Sequence, residues 1–257
     1  FDNKYSHPGA QAQNGVLLCE EAESLSFLVS GWEYYADVLL TPGDFPREPD
    51  EYIYIGQYGG FDKNLRGADG HGQGTYRLLM GIPAGTYTLH MPEVFSAYRL
   101  YINGTEMLTM GTPEREEYSP GIQAQSLVFT TAGAAELIIA VSDSTQFYSG
   151  MVYAPIFGKT GVVEHYVLLK TALRCLVCCA AVVVGLCSLL VGLLSPSKRA
   201  GLLYGLLCLC YTAYSCYPLA TLLFKNAPVY IAERLAFVLL LMLVLVLVRP
   251  VRAGSHR

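Results

Sequence analysis

The run CLVCCAAVVVGLCSLLVGLL, Cys175 to Leu194, holds 20 residues without a charge. A surface helix of a soluble domain needs a polar stripe, and this run has none. As a helix it matches the roughly 30 Å of hydrocarbon in a bilayer. Two more apolar runs follow. Ala200 to Phe224 comes after SPSKR, where Pro196 stops the first helix. The other runs from about Val229 to Val248, with Glu233 and Arg234 near its start. The expectation is three membrane spans at 175–194, 200–224 and 229–248. Residues 161–174 are read as linker and helix entry, and 249–257 as a cytoplasmic tail. Glu233 and Arg234 are expected at the membrane interface, because charge inside a span is costly.

Flanking charges orient the spans. Lys198, Arg199, Arg249, Arg252 and Arg257 fall on one side, against Lys225 on the other. Lys170 and Arg174 weaken the bias without reversing it. The positive-inside rule therefore sends the N-terminal part outside the cell and the C-terminus into the cytoplasm. The first residue, Phe1, fits a processed chain whose signal peptide is gone. Three spans are also more than one domain needs as an anchor, so the chain is read as the front part of a longer receptor.

The charge balance divides at the same place. Residues 1–165 carry 8 Lys+Arg and 20 Asp+Glu, whereas residues 166–257 carry 9 and 1. Neither half reads as a nucleic-acid binder. The first is acidic, and the positive charges of the second sit mostly at the ends of apolar runs. Cys19 is the single cysteine of the first half, so no disulfide forms within it. The other seven cysteines lie in apolar runs and read as small packing residues between helices.

Residues 1–160 read as an all-β domain. Nine strand-like runs recur between turn signals: LSFLVSGWEYY, EYIYIG, GTYRLLMGIP, TYTLHMPEVF, SAYRLYING, TEMLTMG, SLVFTT, AELIIAVSD and MVYAPIFGK. The pattern predicts a β-sandwich, and the strand number suits a jelly roll. Asn103-Gly104 marks a two-residue hairpin of type I′, in which both turn residues need positive φ. Asn-Gly-Thr is also a glycosylation sequon, but the hairpin explains the dipeptide without a sugar. The loop Gly56–Gly74 holds 7 glycines in 19 residues and lacks the Gly-Lys-Ser/Thr of a P-loop. It reads either as a lid over a ligand or as a crossover between sheets.

Candidates for chemistry are sparse. The acidic runs Glu20, Glu21, Glu23 and Glu114, Glu116, Glu117 read as solvated loops. His7, His71 and His90 lack metal-ligand spacing, and no Ser-His-Asp arrangement appears. No catalytic residue, cofactor or metal is expected. Ligand binding fits better, because Tyr is abundant and aromatic faces stack on sugar rings. The candidate contacts are Trp32, Tyr34, Arg99, Tyr101, Phe147 and Tyr148, with a core role the better fit for Trp32 and a plain solvent-facing role for Arg99 and Tyr101. Strand alternation sends Trp32 and Tyr34 to one side and Tyr35 to the other. It puts Arg99 and Tyr101 on the face opposite Leu100 and Ile102. Phe147 and Tyr148 belong to the loop Ser142–Gly150.

Four segments occur in an order that carries a resemblance: GWEYYADVLLTPGDF, GQGTYRLLMGIP, MPEVFSAYRLYINGTEMLTMG and ELIIAVSD. Together they resemble the extracellular domain of 7TMR-DISM proteins, bacterial seven-transmembrane receptors with diverse intracellular signalling modules. SKRAGLLYGLLCLCYTAYS and AERLAFVLL resemble that family's membrane region. The resemblance implies a galactose-binding-like jelly roll, akin to the sugar-binding domain of family 2 glycoside hydrolases. It implies a soluble ligand outside, with carbohydrate as one class, and a histidine kinase, diguanylate cyclase or other output module inside. This chain departs from the pattern in carrying three expected spans and no output domain. The expected partners are thus a small soluble ligand, the lipid bilayer and, as one candidate assembly, a second copy of the chain. Two rival readings are a membrane-tethered glycan-binding module without signalling and a surface hydrolase.

Overall fold

The computed structural model describes residues 9–19, 25–56, 71–114, 117–144, 150–194, 198–220 and 228–253. Within the last two segments, side chains are described for 200–220, 232, 234 and beyond to 246. The chain divides into two compact units, Phe1–Tyr166 and Val167–Arg257.

The first unit is a sandwich of two β-sheets. The larger is built from β4 (Glu51–Ile53), β3 (Trp32–Ala36), β5 (Gly72–Gly81), β10 (Ala134–Asp143), β7 (Ala97–Ile102) and β8 (Thr105–Met110), in that order. A seventh strand, β1 (Val16–Leu18), pairs with β5 and is parallel to it. The smaller sheet runs β2 (Ser26–Phe27), β11 (Ile156–Lys159), β6 (Gly85–Met91) and β9 (Gln125–Thr131). Every other pairing is antiparallel.

Alternating side chains from both sheets fill the space between them, as a two-layer fold requires. Leu78, Met80, Leu100, Leu137 and Ile139 of the large sheet and Leu89, Met91 and Phe157 of the small one are all buried there. An aromatic group of Tyr87, Phe129 and Phe157 lies on the small-sheet side, with ring centroids 5.2–6.4 Å apart.

Local signals explain several elements. Asn103 and Gly104 have φ of 49° and 79°, the left-handed pair of a type I′ turn, and join β7 to β8. Asn103 also pairs with Glu136 of β10 through its own N–H and side-chain oxygen, at 3.0 and 2.9 Å. The run LSFLVSGWEYY forms two strands rather than one. β2 joins the small sheet and β3 the large one, and Gly31 between them has φ of 75°. A Cβ on Gly31 would lie 2.3 Å from the Ala12 carbonyl oxygen, so only glycine fits this crossing.

Helix α1 spans Thr160–Leu194, beginning at the residue after β11. Residues 161–174, expected as linker and helix entry, are helical throughout. Its first turns belong to the sandwich unit: Val163 is fully buried, and the Tyr166 ring meets Phe27 of β2 edge-on with centroids 5.9 Å apart.

In the second unit, α1 continues and is followed by α2 (Lys198–Ser215), α3 (Tyr217–Ala220) and α4 (Pro228–Ala253). Helices α1 and α2 meet through glycine. A Cβ on Gly192 would sit 2.7 Å from the Leu202 nitrogen, and one on Gly201 2.6 Å from the Gly192 Cα. Such backbone contact is the usual way small residues bring apolar helices together. Tyr214 of α2 packs on Phe237 of α4 at 5.3 Å.

Among the described residues, one helix, α1, is long and apolar enough to cross a membrane; Ala200–Ser215 and Arg234–Val246 are shorter apolar stretches. The second expected span, 200–224, is interrupted. α2 ends at Ser215 and α3 starts at Tyr217, because Pro218 has no N–H to continue the ladder. The side chain of Glu233 and residues 221–227 lie outside those described.

Replacing Gly31 by Ala is expected to destabilise the sandwich by about 2 kcal/mol, from the forced positive φ and the clash with Ala12. Thermal unfolding of the chain measures this, and an unchanged midpoint would contradict the strained crossing.

Candidate functional site

The large sheet has a second face, turned away from the core, and it is not simply a wet surface. Across it, β-ladder register sets Tyr52, Glu33, Arg77, Ile138 and Tyr101 in one row from β4 to β7. Tyr35, Thr75, Ala140 and Arg99 form the next row. Ile138, Tyr35, Thr75, Ala140 and Tyr101 are buried despite facing outward from the sandwich.

Part of the cover is the segment between β3 and β4. The Thr75 hydroxyl donates to the Val38 carbonyl at 2.8 Å and accepts from the Leu40 N–H at 2.9 Å. A short 3-10 turn, Pro42–Asp44, is held by the Asp44 carboxylate, which accepts from the Thr41 N–H and hydroxyl at 2.7 and 2.8 Å. Those bonds hold the Asp44 carboxyl below its ordinary pKa. Phe45, at the end of the turn, lies edge-on to Tyr35 with centroids 5.4 Å apart. Its ring also covers Arg77, whose guanidinium carbon is 4.5 Å from the centroid.

Beneath Phe45 is a charged cluster. Arg77 donates from Nη1 to Glu33 at 3.0 Å and from Nε to Glu136 at 2.7 Å. The side chains of Arg77, Glu33 and Glu136 are 15%, 11% and 26% exposed. Burial works against the Arg77 charge, but the hydrogen bonds to Glu136 and Glu33 outweigh it and raise its pKa. The Tyr35 hydroxyl lies 2.8 Å from Glu33 Oε2 and 3.1 Å from the Arg47 carbonyl. Burial, followed by the Glu33 carboxylate, pushes this phenol above its ordinary value.

One guanidinium bridging two carboxylates supplies acceptors and a fixed positive charge, not a general acid or a nucleophile. A second polar group stands where β5 begins and β10 ends. Buried Asp143 accepts from Tyr118 at 2.6 Å and lies 3.5 Å from His71 Nδ1. Among the described residues no group of three or more His, Cys, Asp or Glu could hold a metal ion.

The residues expected to bind ligand are not brought together. Trp32 is fully buried in the core and donates from Nε1 to the Leu28 carbonyl at 2.8 Å. Tyr34 is also in the core and packs on Tyr76 at 5.1 Å. Neither offers a ring face outward: Trp32 takes the core role favoured for it, and the candidacy of both as ligand contacts is corrected. Alternation had put both on one side and Tyr35 on the other, and so they stand; the core is on the Trp32 side. Arg99 is about one-third exposed and is paired with Glu114. Tyr101 is buried on the same outer face. Phe147 and Tyr148 lie outside the described residues.

The Glu33–Arg77–Glu136 cluster was missed because its members are 44 and 59 residues apart. A usable signal was the charge of Arg77 in the middle of the strand run TYRLLM.

No family model matches the chain, and no curated protein matches it. Solved structures of glycoside hydrolases show a remote likeness. A family 2 β-galacturonidase from Eisenbergiella tayi bound to galacturonate has 14% identity and a TM-score of 0.38, over 54% of this chain and 25% of that one. A putative β-galactosidase from Bacteroides fragilis has 15% identity and a TM-score of 0.35, over 52% and 22%. A β-glucuronidase from Parabacteroides merdae has 13% identity and a TM-score of 0.39, over 53% and 22%. The chain thus spans about a quarter of the length of these enzymes. The sandwich assignment rests on the strand pairing of the chain itself.

Arg77→Met is expected to cost about 3 kcal/mol at pH 7, because it leaves Glu33 buried without its partner. Denaturant unfolding at pH 7 measures it, and a loss no larger than that of an exposed ion pair, about 1 kcal/mol or less, would contradict a buried ionic role. Tyr35 contributes a pH dependence on the alkaline side. Its folded pKa lies above the ordinary 10.0, so its contribution is complete below pH 10.0 and is lost as pH rises beyond that. Tyr35→Phe should flatten that alkaline decline.

Proposed function

We propose that this chain is the input portion of a bacterial membrane signal-transduction receptor of the 7TMR-DISM kind. The sandwich, jelly-roll in class, stands outside the cell and binds a soluble ligand, with carbohydrate as the leading class. The apolar helices form three spans, and the C-terminus in the cytoplasm leads to an output module such as a histidine kinase or diguanylate cyclase. The chain itself carries no enzymatic role in this reading.

One observation supports the reading most. The sandwich holds one side of the first turns of the same helix that then runs apolar for 20 residues. Val163 is buried and Tyr166 meets Phe27, while the charge-free run begins at Cys175. A domain that served as a passive tethered binder would have no need of a helix start built into its own packing. Here a ligand that favours one arrangement of the small sheet also favours one seat for the helix. It shifts the helix only by its differential affinity for the two arrangements.

The location is tested by fusing a fluorescent protein that folds only in the cytoplasm to the C-terminus and treating intact spheroplasts with protease. The proposal expects fluorescence from the fusion and cleavage in the sandwich from outside. A dark fusion, or a sandwich protected until lysis, would overturn it.

A further inference from the structure

The charge-free run of α1 has three buried residues, Cys178, Gly185 and Gly192, each seven positions from the next. Seven residues are close to two helical turns, so the three form one seam. Two of them already lie against α2. A Cβ on Gly192 would meet Leu202 and Gly201, and one on Gly185 would sit 3.1 Å from the Cys208 Cβ. The helices are therefore antiparallel, with Gly201 and Cys208 also seven apart. The next step of seven sets Cys178 opposite Ser215, beside Cys216. Cys216 and Cys175 are close enough to Cys178 to act on it electrostatically. Cys175 and Cys179 are exposed, whereas Cys216 is half-buried where α2 ends. Its N–H donates to the Thr212 carbonyl at 2.8 Å, and its carbonyl accepts from the Leu219 and Ala220 N–H groups, both at 2.9 Å. Cys216 is thus the corner shared by α2 and α3.

We propose that Cys178 and Cys216 are a redox-active thiol pair, which closes to a disulfide and ties the α2–α3 corner to α1. The inference rests on the topology proposed above for where the pair meets its oxidant. In that topology Lys198 marks the cytoplasmic end of α2, and its 18 residues rise about 27 Å. Cys216 then stands near the outer surface of a hydrocarbon layer about 30 Å thick, on the side where disulfides form and persist. The Cβ atoms of a disulfide lie about 3.5–4.5 Å apart, and the close approach at Gly185 and Cys208 brings the helices near enough for such a bond. The reaction is thiol–disulfide exchange with an external disulfide, R–S–S–R. The more accessible Cys216 attacks as its thiolate, forms a mixed disulfide and releases RSH. Cys178 then attacks the Cys216 sulfur and releases the second RSH. Two protein thiols are oxidised, one external disulfide is reduced to two thiols, and no proton or electron is left over. Cys175 and Cys179 are turned away from the seam and do not compete.

The test oxidises the full chain in lipid nanodiscs with an equimolar amount of a small dipyridyl disulfide. Non-reducing peptide mapping then reads which cysteines are joined. The expected product is a Cys178–Cys216 cross-link within one chain, which consumes two of the 8 thiols. Cys178→Ala and Cys216→Ala should each abolish it, and Cys175→Ala should leave it unchanged. Should a variant fail to fold, the map of the parent chain still decides. Cross-links that run chiefly to Cys175 or Cys179, that join separate chains, or that do not form would overturn the pair. A second arm traps the thiol state in cells with acid and alkylation. The pair should be closed in cells with an intact envelope disulfide-forming system and open in cells without one. A pair that closes in nanodiscs yet stays reduced in both kinds of cell would overturn the outward placement, and so the proposed topology, while the pairing itself stands.

Discussion

Lys159 ends a strand, Thr160 begins a helix, and no residue stands between them. Much of what this chain can do depends on that junction. β11 is an inner strand of the small sheet, flanked by β2 and β6. Its Phe157 is packed among Tyr87 and Phe129 in the core. The helix therefore leaves a strand that cannot slide without disturbing the aromatic core. Tyr166 against Phe27 holds the next turns to the neighbouring strand β2. At 35 residues, α1 is about 52 Å long, well beyond the length a bilayer requires, so its start is available to the sandwich.

The two faces of the large sheet divide the remaining work. The inner face is apolar and gives the domain its stability. The outer face buries a guanidinium between two carboxylates under the Phe45 ring, an arrangement that is costly to desolvate and contributes little net stability against an apolar alternative. Its value lies in position: it fixes the β3–β4 segment on the sheet, through Phe45 over Arg77 and the Tyr35 hydroxyl between Glu33 and the Arg47 carbonyl. The two sheets share one core, in which Tyr87, Met91 and Phe157 of the small-sheet side meet the large-sheet residues.

Some of this was legible in the sequence and some was not, for physical reasons. The β7–β8 hairpin was legible because Asn103-Gly104 encodes its turn locally. Which residues of β3 share a side was legible from alternation, and so was the core role of Trp32; that the other side is buried as well, at Glu33 and Tyr35, was not, because its cover comes from the β3–β4 segment. β1 was missed because it has three residues and pairs in parallel with a strand about 60 positions later. The span was placed from Cys175 by charge, and the helix that carries it begins earlier, at Thr160, through the stretch read as linker and helix entry. Charge marks where lipid begins, whereas a helix begins where the preceding strand ends. The exposed Tyr52 was inside a recognised strand run, yet its row neighbours Glu33 and Arg77 came only with the register.

The most direct test of the account is a double-mutant cycle on Phe27 and Tyr166, read from the unfolding of the sandwich in the full chain. If the start of α1 is part of the sandwich, Phe27→Ala and Tyr166→Ala each lower its stability. Their combined effect then falls short of the sum by about 0.5–1.5 kcal/mol, the range for a packed aromatic pair. Additive effects, or a Tyr166→Ala variant that melts like the parent, would mean that the helix is merely attached to the domain and that the sandwich has no purchase on it.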